Sequence, residues 1–363
     1  MSGKTLAFSP SMAFYTGAIL LFFSILVHSA SGAKPDTVES SSCLLDLSRS
    51  IRRNMVIESL RQLSLEDLYA EAFQKRLMQP HPTKPGEYVG NNQRALFAPY
   101  LRQLISENPR GNVLDVGAGS GEIVEVALKE MKTCHLYLNE PNGRLLDCYR
   151  ETLARYPQIH LEGVHAKEAQ TFSKAEGAQW VRELPALDLV LMIHMVYHLT
   201  SEEMEELIAT LAPKMAPGST LFIVYADQEN STTGRAADFY FRKNDPSMSE
   251  KIRAAWQWRS RMFKDGELVK TLSERYPELT LQIKSFVTPS RIYARSTADL
   301  AVMCYTGELS ATETRPIEKI YSSLQFIENH PDQIDLKNEI EGDRQGMVSS
   351  AQPQVICQIH RTL

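Results

Sequence analysis

The sequence predicts an open α/β sheet: seven strands, mostly parallel, with helices on both faces and a helical cap at the amino-terminal side. Three observations carry this. Short apolar runs alternate with amphipathic helical stretches from residue 112 onward, which is the pattern of strands joined by right-handed crossovers. Two of those runs, Leu187–Ile193 and Thr220–Tyr225, are almost continuously apolar, as strands covered on both faces must be. The first run ends directly in the glycine-rich turn Gly117-Ala118-Gly119-Ser120-Gly121.

Taken in order, the chain opens with residues 13–27 (AFYTGAILLFFSILV), 15 residues without a charge. That is the length of a secretory h-region and short of the roughly 20 residues of a spanning helix. Ser31-Gly32-Ala33 follows as a small-x-small cleavage pattern. Residues 1–33 therefore read as a signal peptide or signal anchor, giving a secreted, lumenal or membrane-anchored protein of the secretory pathway. Asn230-Ser231-Thr232, a glycosylation sequon, agrees with that address. Residues 34–110 read as a polar linker and a helical cap. Residues 44–80 and 92–106 place apolar side chains at three-to-four spacing, and Pro82, Pro85 and Gly86 break the pattern between them. Residues 111–363 form the main domain. Strands are expected at 112–116, 134–139, 158–163, 187–193, 219–225, 279–287 and 354–360. Helices are expected at 121–131, 142–155 and 201–215. The polar stretch 228–275 reads as an insertion capping the substrate, and 326–346 as a surface helix or loop.

Composition narrows the function. A net charge of −5 argues against a dedicated nucleic-acid binder. The five cysteines are scattered without C-x-x-C spacing, so neither a disulfide framework nor a structural zinc site is expected.

The glycine turn is the most informative stretch. Glycines at alternate positions let the backbone bend sharply and admit a ligand closely, and the following helix aims backbone N–H groups into the same space. A dinucleotide fingerprint would read G-x-G-x-x-G; here the third glycine comes one residue early, giving G-x-G-x-G. Asp115 lies at the end of the strand. Glu140 ends the next strand, 19 residues after Gly121, where a carboxylate can accept hydrogen bonds from both hydroxyls of a ribose. The plain alternative, a tight strand-to-helix loop with no ligand, leaves Glu140 and the further strands unexplained.

This combination resembles the class I S-adenosylmethionine-dependent methyltransferases, and so implies their Rossmann-like seven-stranded sheet. It implies S-adenosyl-L-methionine as cofactor, held by Asp115, Gly117, Gly119, Gly121 and Glu140. It further implies that Gln170, in the loop after the third strand, flanks the adenine, and that Ile193 covers the cofactor. His194 and Tyr197 would then face the methyl acceptor. More narrowly, Gly117–Ile123, Asn139-Glu140-Pro141, His165-Ala166-Lys167-Glu168, Ile193–Tyr197, Phe222-Ile223-Val224 and Val355–Ile359 follow the feature order of the histamine N-methyltransferase-like family. That resemblance spans about residues 112–360. Its substrate-contacting positions fall on Asn91, Tyr240 and Phe241. The family has a glutamine where this chain has His194 and a tyrosine where it has His198, and it carries no leading apolar segment.

Methyl transfer is a displacement in which the cofactor supplies the activated group and the protein supplies alignment and a dry site. A protonated amine has no lone pair, so His194 or His198 is expected to take a proton near neutral pH, with Tyr197 orienting the acceptor. The expected activity is methylation of a small molecule at an amine or imidazole-like nitrogen. O-methylation of a carboxylate or hydroxyl, and cofactor binding without catalysis, are the alternatives. No metal is implied.

Overall fold

The computed structural model describes residues 51, 53–84, 87–107, 110–121, 125, 127–306 and 315–362. Met1–Met55 and Val56–Leu363 are separate compact units, and the sheet and its crevice belong to the second. The apolar segment 13–27, its cleavage pattern and the linker lie outside the described residues. Among the described residues no helix is long and apolar enough to cross a membrane.

In chain order the strands are β1 (Arg110–Val116), β2 (Thr133–Asn139), β3 (Ile159–His165), β4 (Leu187–Ile193), β5 (Met215–Ala226), β6 (Leu281–Thr288), β7 (Arg291–Ala294), β8 (Lys337–Asn338), β9 (Val348–Ala351) and β10 (Gln354–Arg361). Seven of them form one sheet in the order β3-β2-β1-β4-β5-β10-β6. β1 to β5 run parallel, and β10 inserts antiparallel between β5 and β6. All seven expected strands are present; β1, β2, β3, β5 and β10 are longer than the apolar runs that revealed them, and β6 is one residue shorter.

Alternate residues of the central strands feed two different cores. Leu114, Val116, Val190, Met192 and Ile223 face one core. Val113, Leu136, Leu138, Leu191 and Phe222 face the other, together with Phe97 and Leu101 of the helix Gln93–Glu107. This is why the central strands carry no polar face. The acidic run after β4 opens the helix Ser201–Leu211, where Thr200 and Glu203 form a capping box and the carboxylates sit at the positive end of the dipole.

The strand order reverses between β1 and β4. The connections from these two strands leave in opposite directions and open a crevice at the carboxyl edge, where ligands bind in sheets of this type. β1 and β2 end level there, Val116 pairing with Asn139, which in turn pairs with His165 of β3.

The cap over this edge differs from expectation. Helix α1 (Leu65–Ala72), the one before helix α2 (Gln93–Glu107), continues into one π-helical turn, Phe73–Leu77. It packs with elements from the far end of the chain, the helices Thr297–Met303 and Pro316–Asn329. Between β6 and β10 the chain also forms a second sheet, in which β9 lies between β7 and β8. Residues 326–346 are thus the end of a helix and a short strand. An ion pair at 2.9 Å from Arg76 to Asp299 ties the π turn to the helix at Thr297. The region 228–275 folds into helices (Thr232–Asn244, Pro246–Arg259, Glu267–Arg275), and only its first turns approach the crevice.

Candidate active site

The turn after β1 is built by its three glycines. Gly117, Gly119 and Gly121 have φ of 65°, 59° and 77°, the left-handed region that other residues enter at a cost. A Cβ on Gly121 would lie 2.8 Å from the ring of Tyr149, while one on Gly119 would meet no atom within 4 Å. One glycine therefore serves packing, and the other borders open space.

Glu140 organises that space. Gly119 N donates to its Oε2 at 2.8 Å and Asn142 N to its Oε1 at 2.8 Å. Burial raises the Glu140 pKa, and these two N–H donors oppose the rise. Each carboxylate oxygen keeps a second lone pair for a ligand hydroxyl. Asp115 is 2% exposed and accepts a hydrogen bond from Tyr149 Oη at 3.0 Å. Burial pushes its pKa up to about 7, Tyr149 pulls it down and the nearby Glu140 adds to the rise. Tyr149, two turns into the helix Gly143–Leu153, thus supports Gly121 with its ring and Asp115 with its hydroxyl. No spacing in the sequence marked it.

Asp115 has a pH consequence. The folded chain keeps a proton that the unfolded chain releases near pH 3.8. Its contribution to stability is complete below that pH and is lost as pH rises through about 7. Asp115→Asn is expected to stabilise the cofactor-free protein more at pH 8 than at pH 5, the gain growing by about 2–3 kcal/mol between the two. Urea denaturation at the two pH values checks this; an equal effect at both would sink the buried-proton account.

After β3, Asn139 Nδ2 donates to the carbonyls of His165 (3.0 Å) and Lys167 (2.6 Å) and so fixes the loop. Gln170 donates to Glu168 at 2.6 Å and lines the crevice. At the end of β4, Ile193 borders the crevice and His194 takes φ 59°, an uncommon conformation for a non-glycine residue that often marks a functional site. His194 Nδ1 lies 3.1 Å from Tyr197 Oη, which also accepts from Ala226 N. His194 Nε2 is sealed from solvent and has no hydrogen-bond partner among the described residues. Burial lowers the His194 pKa to about 4, so the ring is neutral at pH 7. This corrects the sequence reading: one nitrogen faces Tyr197, the other is shielded, and the basicity is low, so the ring is poorly placed to take a proton. His198 is exposed at the mouth of the crevice.

These groups line one cavity of about 700 Å³, within the size range of small-molecule sites. The structure brings Asp115, the three glycines, Glu140, Gln170, Ile193, His194, Tyr197 and His198 to it. It does not bring Tyr240, Phe241 or Asn91. Tyr240 and Phe241 pack with Ile252, Met248 and Trp256, because they sit two turns, about 10 Å, beyond the part of their helix that reaches the cavity. Asn91 is buried in the cap. Its Nδ2 donates to Leu77 O at 2.6 Å and its Oδ1 accepts from Gln93 N at 2.9 Å, so it braces the wall from behind. The aromatic lining comes from Tyr69, Phe73 and Tyr305, and polar lining from Gln93, Gln228, Thr233 and Gln352. Sequence reasoning named none of these, because they come from elements distant in the chain.

The crevice fits an adenosyl cofactor by its own geometry: a glycine turn with open space above Gly119, and a buried carboxylate with lone pairs to spare one strand away. A methyltransferase-domain family model matches residues 88–277, just over half of the chain. No curated protein matches the chain. Among solved structures, the plantazolicin methyltransferase BamL, in complex with a triazolic desmethylPZN analog and SAH, is 8% identical. It covers 82% of this chain and 90% of its own, with a TM-score of 0.40. The YcgJ protein from Bacillus subtilis (12% identical, TM-score 0.42) covers 73% of this chain and 99% of its own. A putative methyltransferase from Bacillus halodurans C-125 (13% identical, TM-score 0.43) has the same coverage, 73% and 99%. These comparisons give no support to the narrower likeness to histamine N-methyltransferases. With the family match falling on the glycine turn, Glu140 and the β4 edge, the chain belongs to the methyltransferase-domain family and is an S-adenosylmethionine-dependent methyltransferase with a Rossmann-like class I sheet.

Proposed function

We propose that the enzyme methylates a nitrogen of a small molecule, imidazole-like rather than a protonated alkylamine. One observation carries this reading. The carboxylates lining the cavity, Asp115, Glu140 and Glu168, all lie at the ends of β1 and β2 and in the loop after β3. Opposite them the described lining is aromatic, aliphatic or neutral polar, with Tyr69, Phe73, Ile292 and Tyr305 among its members. Such a wall has no carboxylate to pair with an ammonium group, and burying a charge without an ionic partner is costly. A neutral ring nitrogen brings its lone pair without first shedding a proton. The roof formed by α1 and the segment around Tyr305 limits the acceptor to a small molecule.

S-adenosylmethionine supplies the activated methyl group when bound. Asp115, the glycine turn, Glu140 and Gln170 are the residues that would hold it, with Ile193 against it. His194 and Tyr197 form a neutral pair that orients the acceptor and keeps the β4 edge dry. Proton uptake falls to His198 at the mouth, where water can carry the proton away.

Labelled S-adenosylmethionine incubated with separate pools of imidazole-like heterocycles, alkylamines, and phenols with carboxylic acids tests this. Label is expected in the first pool. Label confined to the phenols and acids would move the reaction to oxygen. Cofactor binding without label in any pool would overturn the proposal in favour of a non-catalytic binder.

A further inference from the structure

We infer that Gln93 and Gln228 are the residues that recognise the acceptor, and that it is an uncharged planar molecule with hydrogen-bond donor and acceptor on one edge, as in a carboxamide or lactam. This rests on the methyltransferase reading and narrows its substrate. Both glutamines line the cavity and are 4% and 3% exposed. Gln93 opens α2, anchored through its backbone N–H to Asn91 Oδ1 at 2.9 Å. Gln228 stands just beyond the end of β5.

Their amides differ from the other buried amide nearby. Gln352 is satisfied on both sides by Thr233: its Nε2 donates to Thr233 Oγ1 at 2.8 Å and its Oε1 accepts from Thr233 N at 3.4 Å. The Gln93 side chain makes no hydrogen bond to any described residue. Gln228 is engaged at one end, by a 3.4 Å contact from Ser231 Oγ to its Oε1, and its Nε2 donates to no described residue. Neither amide is among the sealed orphan atoms of the described residues. Each therefore opens onto accessible space, which for residues this buried is the cavity.

Buried polar groups ordinarily find partners, so two amides with unspent groups lining one cavity point to a ligand that spends them. Gln228 is held in place. A Cβ on Gly234 would lie 2.5 Å from its Oε1, so that glycine makes room for this amide. An amide end offers one N–H donor and one carbonyl acceptor, and complements an edge offering the reverse. Tyr69, Phe73 and Tyr305 on the same cavity favour a flat body.

The test uses the full chain saturated with S-adenosylhomocysteine for binding, and labelled S-adenosylmethionine for turnover. The probes are nicotinamide, benzamide and uracil, set against phenethylamine and tyramine. Binding or methylation is expected for at least one of the first three, and not for the amines. Gln93→Leu and Gln228→Leu are expected to raise that probe's KM or Kd roughly tenfold or more, with S-adenosylmethionine affinity within about twofold of wild type. Gln228→Glu, which keeps the shape and adds a charge, is expected to shift preference toward the amines. The inference is overturned if the wild type prefers the amines, if it binds none of the neutral probes, or if the variants retain full acceptor affinity. Failure of the wild type to bind S-adenosylmethionine would instead strike the methyltransferase reading beneath it.

Discussion

Replacing Glu140 by alanine is expected to weaken S-adenosylmethionine binding by roughly 100-fold while the sheet stays folded. The carboxylate is buried and already accepts from Gly119 N and Asn142 N, each at 2.8 Å. Its removal acts twice: the ribose loses its acceptor, and the glycine turn loses the brace that sets its N–H groups. Hydrogen bonds to a charged group contribute about 1.5–3 kcal/mol, and about 1.4 kcal/mol is a factor of ten in affinity. One lost charged contact plus a loosened turn therefore reaches about two decades. Glu140→Gln should fall between, because an amide can accept from one of the two N–H groups and must oppose the other with its own donors. Calorimetry gives the affinities, and circular dichroism shows whether the fold persists. Wild-type affinity in a folded Glu140→Ala protein would refute the assignment of this carboxylate to the ribose.

The half of the site that holds the cofactor was legible because it is local in sequence. A strand, a glycine turn, a helix and the end of the next strand lie within about 30 residues, so spacing alone places Gly117, Gly119, Gly121 and Glu140 together. Strand positions were legible for a related reason. Residues such as Leu189, Val190, Leu191 and Met192 are apolar on both faces because the two cores lie on both sides of the sheet, and no other short element demands that pattern.

The acceptor half had no such signature. Phe73 and Tyr305 share a wall although more than 200 residues separate them, and nothing in the spacing of either reports the other. The pair Tyr240-Phe241 was assigned to the acceptor by the narrower family resemblance alone. Position along the helix decided otherwise: Thr233 reaches the cavity and the residues two turns on reach Ile252 and Trp256 instead. Residue type and a place at the end of β4 made His194, or His198, the expected base. The left-handed φ of His194, its sealed Nε2 and its lowered pKa are properties of the packed chain, and a sequence does not display them.

Two neighbouring glycines of one motif are expected to fail in opposite ways, and this contrast tests the site most sharply. At Gly119, with φ 59°, an alanine methyl meets no protein atom within 4 Å. Gly119→Ala should then cost only the left-handed backbone penalty, about 1–2 kcal/mol, while its methyl intrudes on the space beside Glu140 and lowers cofactor affinity more than tenfold. At Gly121, with φ 77°, the new Cβ would lie 2.8 Å from the Tyr149 ring. That ring cannot retreat without releasing Asp115 from its 3.0 Å hydrogen bond, so overpacking, roughly 1–3 kcal/mol, adds to the backbone penalty. Gly121→Ala should therefore destabilise the fold by about 3 kcal/mol. Urea denaturation of the cofactor-free proteins separates the two effects, and a double-mutant cycle identifies their source. In a Tyr149→Ala background the Gly121→Ala cost should shrink to the backbone part, while the Gly119→Ala cost should not change. Equal stability losses at the two glycines, or a Gly121→Ala cost indifferent to Tyr149, would mean that the turn is not divided between packing and binding as the geometry indicates.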